Sequence, residues 1–273
     1  MARSGKITRI LLKKDLLFAL YSLGYYGVLF VSFFASSFIL KSFLDGIREE
    51  DILVTAFPLN TYLSIIIIII SLYLVLVSAI SISREKEQGT LETLSYGPVT
   101  PRSFLLAKFF KDFFIGIISL GFTAIYFYLV SSLTNIGFTP GLIKALVMGV
   151  FLVSCVVSFG LFISSFTGRV RSSIISLIAI LGAFLVIQFT YNSLLGIEKE
   201  ALSVPLFYIR QTLHYVFQGI NWISPFAFIS RGLDSVVLEN WPLFFTNIVY
   251  CIVYSVIFIA LSIGIMNRKG VKA

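Results

Sequence analysis

The sequence predicts an all-α membrane protein with six transmembrane helices. Apolar residues make up 58% of the chain, charged residues make up only 12%, and six long stretches contain no Asp, Glu, Lys, Arg or His. A water-soluble domain normally carries about 25% charged residues, so this composition excludes an ordinary soluble protein. The charge-free stretches cover residues 16–40, 59–83, 113–133, 145–167, 174–195 and 243–266.

Each stretch is long enough to cross a bilayer as a helix. About 20 residues, rising 1.5 Å each, span the ~30 Å hydrocarbon core. Because backbone N–H and C=O groups find no water there, a segment of this length satisfies them internally as an α-helix. A β-barrel would show short strands of alternating polarity instead.

The residues before the first stretch predict an amphipathic helix in the membrane interface. Ile7, Ile10 and Leu11 follow a spacing of three and four, with Lys6 and Arg9 on other sides. A basic, partly disordered tail is the alternative. The first stretch itself exceeds the 7–15 residues of a secretory signal core, so we expect it to remain as an anchor.

Basic residues are concentrated in alternate connections between the stretches. With the N-terminus inside, the inner segments contain Arg3, Lys6, Arg9, Lys13, Lys14, Arg84, Lys86, Arg102, Lys108, Lys111, Arg169, Arg171, Arg268, Lys269 and Lys272. The outer segments contain Lys41, Arg48, Lys144, Lys199, Arg210 and Arg231. By the positive-inside rule, we expect both termini to be cytoplasmic. We also expect a multi-pass protein of the plasma membrane. The net charge of +8 therefore reflects topology, with the lipid bilayer as partner and no nucleic acid.

The sequence contains no recognisable catalytic or metal-binding motif. Neither Gly-x-x-x-x-Gly-Lys-Ser/Thr nor His-Glu-x-x-His occurs. Cys155 and Cys251 lie in apolar stretches and are expected to be packing residues, while the single histidine, His214, is expected at a surface or interface. We therefore expect no enzyme activity, no metal and no cofactor. The charge-free spans also disfavour an ion-coupled carrier, which normally keeps ionisable residues within its helices.

The most charged segment, residues 84–112, follows the second stretch. It begins Arg84-Glu85-Lys86-Glu87-Gln88-Gly89-Thr90-Leu91-Glu92-Thr93-Leu94 and continues past Pro98 and Pro101 to Lys108. Gly89 and Thr90 predict a break in the helix, with Thr90 able to cap a short new one. Leu91 and Leu94 would share a face of that short helix, which could enter a groove on a soluble partner. A solvated loop without a partner is the alternative.

Two further regions hold candidate residues. Gln188 and Asn192 lie four apart in the fifth stretch, with Tyr191 beside them, so they either line a pathway or form hydrogen bonds between helices. Residues 196–242 are rich in aromatic residues and interrupted by prolines and glycines. We expect this outer segment to form short helices that lie on the surface or dip back into the membrane.

The segment from Arg84 to Leu94, with Pro98, Val99 and Lys108, resembles the segment after the second helix of ABC-2-type permeases, the membrane subunits of ATP-binding-cassette exporters. The amphipathic N-terminal helix, the six spans, the long segment before the last span and Ser224-Pro225-Phe226 are also similar to that family. The resemblance implies a dimer with a second copy or paralogue, each subunit driven by a cytosolic ATPase that binds the ATP. It implies ATPase-docking roles for Arg84, Glu85, Glu87, Gly89, Thr90, Leu91, Glu92 and Leu94.

Two other functions compete with this one. A stand-alone channel or secondary carrier would transport without an ATPase, and a membrane scaffold or sensory subunit would recruit a cytosolic partner without transporting. The cargo, the direction of transport and the choice between homodimer and heterodimer stay open at this level.

Overall fold

The computed structural model describes residues 2–50, 58–91, 99–134, 137–196 and 204–268, and in these ranges the chain is helical with short turns. Its helices are α1 Ala2–Leu20, α2 Leu23–Glu50, α3 Pro58–Glu87, α4 Pro101–Thr134, α5 Pro140–Phe166, α6 Val170–Leu195, α7 Val204–Ile223, α8 Pro225–Val237 and α9 Trp241–Arg268. Six of them, α2 to α6 and α9, are long and apolar enough to cross a membrane. The predicted all-α fold with six spans is confirmed.

Turn residues and prolines set helix boundaries that the charge-free stretches do not mark. The helix breaks at Tyr21 and Ser22, so residues 16–20 belong to α1 and the first candidate span begins at Leu23. Pro101 opens α4, so residues 101–112 of the predicted charged loop are helical. Proline is favoured at this position because the first helical N–H has no intrahelical partner to lose.

The N-terminal helix lies against the start of α4. Leu16, Ala19 and Leu20 pack against the core of the bundle, whereas Ile10 and Phe18 are exposed. Exposed apolar side chains beside a packed face fit a helix lying in the membrane interface. The region is helical from Ala2 onward, as the amphipathic pattern predicted.

Helix α5 occupies the centre of the bundle, because small residues let its neighbours approach closely. It contacts α3, α4, α8 and α9, and the residues along its length are largely buried. At Gly160, an added Cβ would lie 2.7 Å from Ser78 Cβ and 2.8 Å from the carbonyl oxygen of Val75. Close backbone approach through small residues is the main packing device of membrane helices, where lipid removes the hydrophobic drive for association.

Polar side chains join the central helix to the last span. The hydroxyls of Ser154 and Ser255 are 2.9 Å apart, and Cys155 Sγ lies 3.4 Å from the carbonyl oxygen of Cys251. Both thiols are free and fully buried. Hydrogen bonds of this kind between membrane helices contribute about 0.6 kcal/mol each, so they orient the helices more than they hold them together.

The junction of α7 and α8 lies deep beside α9. Tyr254 donates a 2.6 Å hydrogen bond to the carbonyl of Ile223, and Arg231 donates to the carbonyl of Asn221, so two carbonyls at the end of α7 are satisfied. Tyr254 lies about 20 Å along α9 from Trp241, at 1.5 Å per residue. The junction is therefore packed against the middle of α9.

The contact between α3 and α5 yields a stability prediction. Gly160→Ala is expected to destabilise the protein by about 1–3 kcal/mol, because the new methyl group overpacks against the backbone of α3. Thermal unfolding of the purified protein in detergent measures the effect. Gly182→Ala in α6 is the matched control, since an added Cβ there meets nothing within 4 Å. Equal melting temperatures for both variants would contradict the close packing.

Candidate functional site

The charged segment begins with a tight turn at the end of α3. Helix α3 ends at Glu87, Gly89 adopts a φ of 68°, and helical structure resumes at Thr90. Glycine tolerates this left-handed conformation because it has no Cβ. The predicted break at Gly89 is therefore present. The hydroxyl of Thr90, the predicted cap of the new helix, donates a 3.1 Å hydrogen bond back to the carbonyl of Glu85. The N–H groups that it would cap belong to residues 92 and 93, which lie outside the described residues.

A buried lysine joins three helices beside this turn. Lys108 Nζ in α4 lies 2.6 Å from Asp15 Oδ2 of α1 and also pairs with Glu85 Oε1 of α3. Lys108 is only 7% exposed, so burial removes most of the water that would otherwise solvate its charge. The two carboxylates replace that water. The end of the bundle that holds this cluster is here termed the basic end.

Sequence reasoning missed Asp15, although one signal was available. It is the only acidic residue in the first 44 residues, and it sits within an otherwise basic N-terminal segment. Such an isolated charge beside an apolar stretch is costly unless it finds a partner. The structure supplies that partner from residue 108, which is far away in the sequence.

The next two residues of the turn contact the connection between α5 and α6. Lys86 Nζ donates to the carbonyls of Ser165 and Thr167, at 2.8 and 3.2 Å. The backbone N–H of Val170, at the start of α6, donates to Glu87 Oε2 at 2.9 Å. A cation at the end of one helix and an anion at the start of the next both complement the helix dipoles.

The predicted docking residues that the structure describes divide into two groups. Glu85 and Glu87 have partners inside the chain, as described above. Arg84 is exposed, and Leu91 is half-buried and packs partly against the core. Glu92 and Leu94 lie outside the described residues, which omit 92–98.

A second buried charge pair lies deeper in α4. Asp112 is fully buried; its Oδ1 lies 2.9 Å from Lys111 Nζ, and its Oδ2 accepts a 3.0 Å hydrogen bond from Ser78 of α3. Ser78 lies within a charge-free stretch, so this carboxylate is in contact with a candidate span. No pattern in the sequence indicates that these residues face the interior of the bundle, because the polar end of a spanning helix is usually solvated.

Two cavities flank the cluster around Lys108. One of about 440 Å³ lies between α1 and the turn, and its lining includes Leu11, Gln88 and Phe104. The other, of about 330 Å³, extends along α3 past Tyr73 and Ile80. Asp15, Glu85, Gln88 and Lys108 line both cavities. The ion pairs of Lys108 therefore lie between the two cavities and separate them.

The candidate pathway residues of α6 have different environments. Tyr191 is buried; its hydroxyl lies 2.8 Å from His214 Nδ1, and its ring stacks on Phe217 with centroids 4.5 Å apart. It therefore joins α6 to α7 as a packing residue. Gln188 and Asn192 are exposed on the surface of α6.

Within the ranges that the structure describes, no group of three or more His, Cys, Asp and Glu residues could hold a metal ion.

Six apolar helices, with a charged turn that is bonded to the other helices at one end, define a polytopic helical membrane protein. A family model described as ABC-2 family transporter protein matches residues 9–271, so the chain belongs to the ABC-2 transporter family. Members of this family are membrane transport subunits that generally pair with an ABC ATPase. No curated protein sequence matches this chain.

The cluster around Lys108 yields a second stability prediction. Lys108→Met leaves two carboxylates close together without their cation, and we expect a loss on the order of 2 kcal/mol, because both acids keep some contact with water. Thermal unfolding in detergent measures it, with the exposed Lys13→Met as the matched control. Adding Asp15→Asn and Glu85→Gln should recover most of the loss. No recovery in the triple variant would show that Lys108 acts through packing alone.

Proposed function

We propose that this chain is the permease subunit of an ABC exporter in the cell membrane. A separate cytosolic ATPase binds and hydrolyses the ATP, and the segment from Arg84 to Leu94 receives that ATPase. The observation that carries this proposal is the turn at Gly89 in a chain of the ABC-2 family. The turn ends α3 and starts a new helical segment at the basic end, where a positive-inside topology exposes it to the cytosol.

The surface of this turn supports docking by the residues that the bundle leaves accessible. Arg84 and Thr90 are exposed, and Leu91 keeps part of its side chain at the surface. A short helix that presents an apolar anchor among charges fits a groove on a soluble protein. Glu85 and Glu87 are not assigned to the contact with the ATPase, because their carboxylates bind Lys108 and the backbone N–H of Val170 within the chain.

The exposed amides of α6 support a second permease copy or a paralogue. Helix α6 has few buried residues within the chain, and Gln188 and Asn192 lie on its exposed side. An amide side chain facing lipid loses its hydrogen bonds, so such residues normally face another protein surface or a water-filled path. We assign them to a translocation pathway formed with the second subunit.

One observation favours an ion-coupled carrier as the second candidate. Asp112 is a buried carboxylate beside a candidate span, which is where coupling residues of carriers are found. Its ion pair with Lys111 and the hydrogen bond from Ser78 favour a structural role instead, although Asp112 Oδ1 accepts no hydrogen bond within the described residues. Transport by the purified chain alone, reconstituted without any ATPase, would establish the carrier function in place of the proposed one.

The docking role predicts the effect of placing a charge on the apolar anchor. Leu91→Asp and Leu94→Asp are each expected to reduce the amount of ATPase that co-purifies with the chain from native membranes, because a carboxylate is costly in an apolar groove. Leu238→Asp, at an exposed leucine after α8, is the control and should retain the ATPase. Unchanged co-purification with both loop variants, inserted at normal levels, would count against docking through these leucines.

The pathway role predicts which side of α6 meets water. Gln188→Cys and Asn192→Cys should react with a membrane-impermeant maleimide in the reconstituted complex, against a low background because Cys155 and Cys251 are buried. Val186→Cys is the control, since residue 186 is exposed but lies about 200° around α6 from residue 188. It should face lipid and stay unreactive. Equal labelling at all three positions would contradict a pathway on one side of α6.

A further inference from the structure

Three consecutive charged residues at the end of α3 contact three different parts of the bundle. Glu85 pairs with Lys108 of α4, Lys86 donates to carbonyls at the end of α5, and Glu87 accepts from the first N–H of α6. Successive side chains on a helix point about 100° apart, so one turn of α3 can reach in three directions. The charges of this motif are therefore used largely for contacts within the chain.

The contacts of Lys86 and Glu87 meet on a single short connection. Only residues 167–169 separate α5 from α6, and the two side chains bind on either side of that connection. Just before them, the backbone N–H groups of Ile82 and Ser83 donate to the hydroxyl of Ser164 in α5, at 2.9 and 3.0 Å. The end of α3 is thus fixed to the end of α5 by both backbone and side-chain hydrogen bonds.

The two helices that meet at this connection differ greatly in how firmly the bundle holds them. In α5, 72% of the residues in the apolar part of the helix are buried inside the chain, whereas in α6 only 11% are buried. The buried residues of α6 are Ser173 and Leu177 near its start and Tyr191 near its end. Displacing α6 therefore breaks few contacts within the chain, while displacing α5 would disrupt the core.

We propose that Lys86 and Glu87 are positioning residues for transport. Lys86 fixes the end of α3 to the buried helix α5, and Glu87 transmits displacement of the charged turn to the first turn of α6. This proposal rests on the docking function proposed above. In this proposal, ATP hydrolysis moves mainly helix α6, whose exposed face contains Gln188 and Asn192.

The test follows the position of α6 in the complex with its co-purified ATPase. Spin labels at Ile178 of α6 and Ile125 of α4, both exposed, report the distance between the two helices by pulsed electron paramagnetic resonance. The native cysteines are replaced by alanine. In the parent chain, trapping the ATPase with ATP and vanadate is expected to shift this distance. In Lys86→Met and in Glu87→Met, which removes the acceptor for the backbone N–H of Val170, we expect the shift to be lost while the ATPase still co-purifies and hydrolyses ATP.

Matched variants separate positioning from general stability. Arg102→Met removes an exposed basic residue at the same end of the bundle and should keep the shift. Lys86→Arg keeps a cationic donor for the carbonyls of Ser165 and Thr167 and should restore the shift that Lys86→Met loses. A merely structural role would lower the melting temperature and reduce ATP hydrolysis together. Should Lys86→Met fold poorly, Glu87→Met carries the test, because the Glu87 side chain is exposed and methionine is of similar size.

The outcomes distinguish this proposal from the function on which it rests. A full shift in both Lys86→Met and Glu87→Met, or no shift in the parent chain with a bound and active ATPase, would overturn the positioning role and leave docking intact. Failure of any ATPase to co-purify with the parent chain would overturn the docking function, and the positioning role with it.

Discussion

The burial of Lys108 is the constraint on which the basic end of the bundle depends. A lysine that is 7% exposed has lost most of its hydration, and only charged or strongly polar partners can replace it. The partners come from α1 and α3, so satisfying one charge fixes the positions of three helices. In a chain with so few charges, each ion pair has a large effect on how the helices are arranged.

At the basic end, ion pairs join α1, α3 and α4, and cavities lie beside these contacts. Cavities lie on both sides of the Lys108 cluster, and the helix beyond the α5–α6 connection has little burial of its own. The opposite end of the bundle is more tightly packed. There α8 contacts α5 closely at Gly232, where an added Cβ would lie 2.9 Å from Met148 Cε. Movement at the basic end is therefore expected to tilt α6 more readily than it disturbs the packing of α5, α8 and α9.

Much of the fold could be predicted from composition, because the length of a charge-free stretch and the backbone requirement in lipid leave only helices. The break at Gly89 was also predictable, since glycine marks such turns. The contacts of Glu85, Lys86 and Glu87 were not, because their partners lie in helices α4, α5 and α6, and sequence spacing does not give the rotation of one helix against another. The split of the first stretch at Tyr21 and Ser22 was missed for another reason: neither residue is a strong helix breaker or a charge.

Transport by this chain, as proposed above, depends on a cytosolic ATPase that acts through the turn after α3. Site-specific photocrosslinking in native membranes tests it most directly, with a photoreactive amino acid at the exposed Thr90 and another at the exposed Leu238 beyond α8. We expect the probe at residue 90 to capture a soluble protein with a phosphate-binding loop, and the probe at residue 238 not to capture it. Capture of only lipid or of proteins without that loop from residue 90, in cells where the chain is inserted normally, would contradict it.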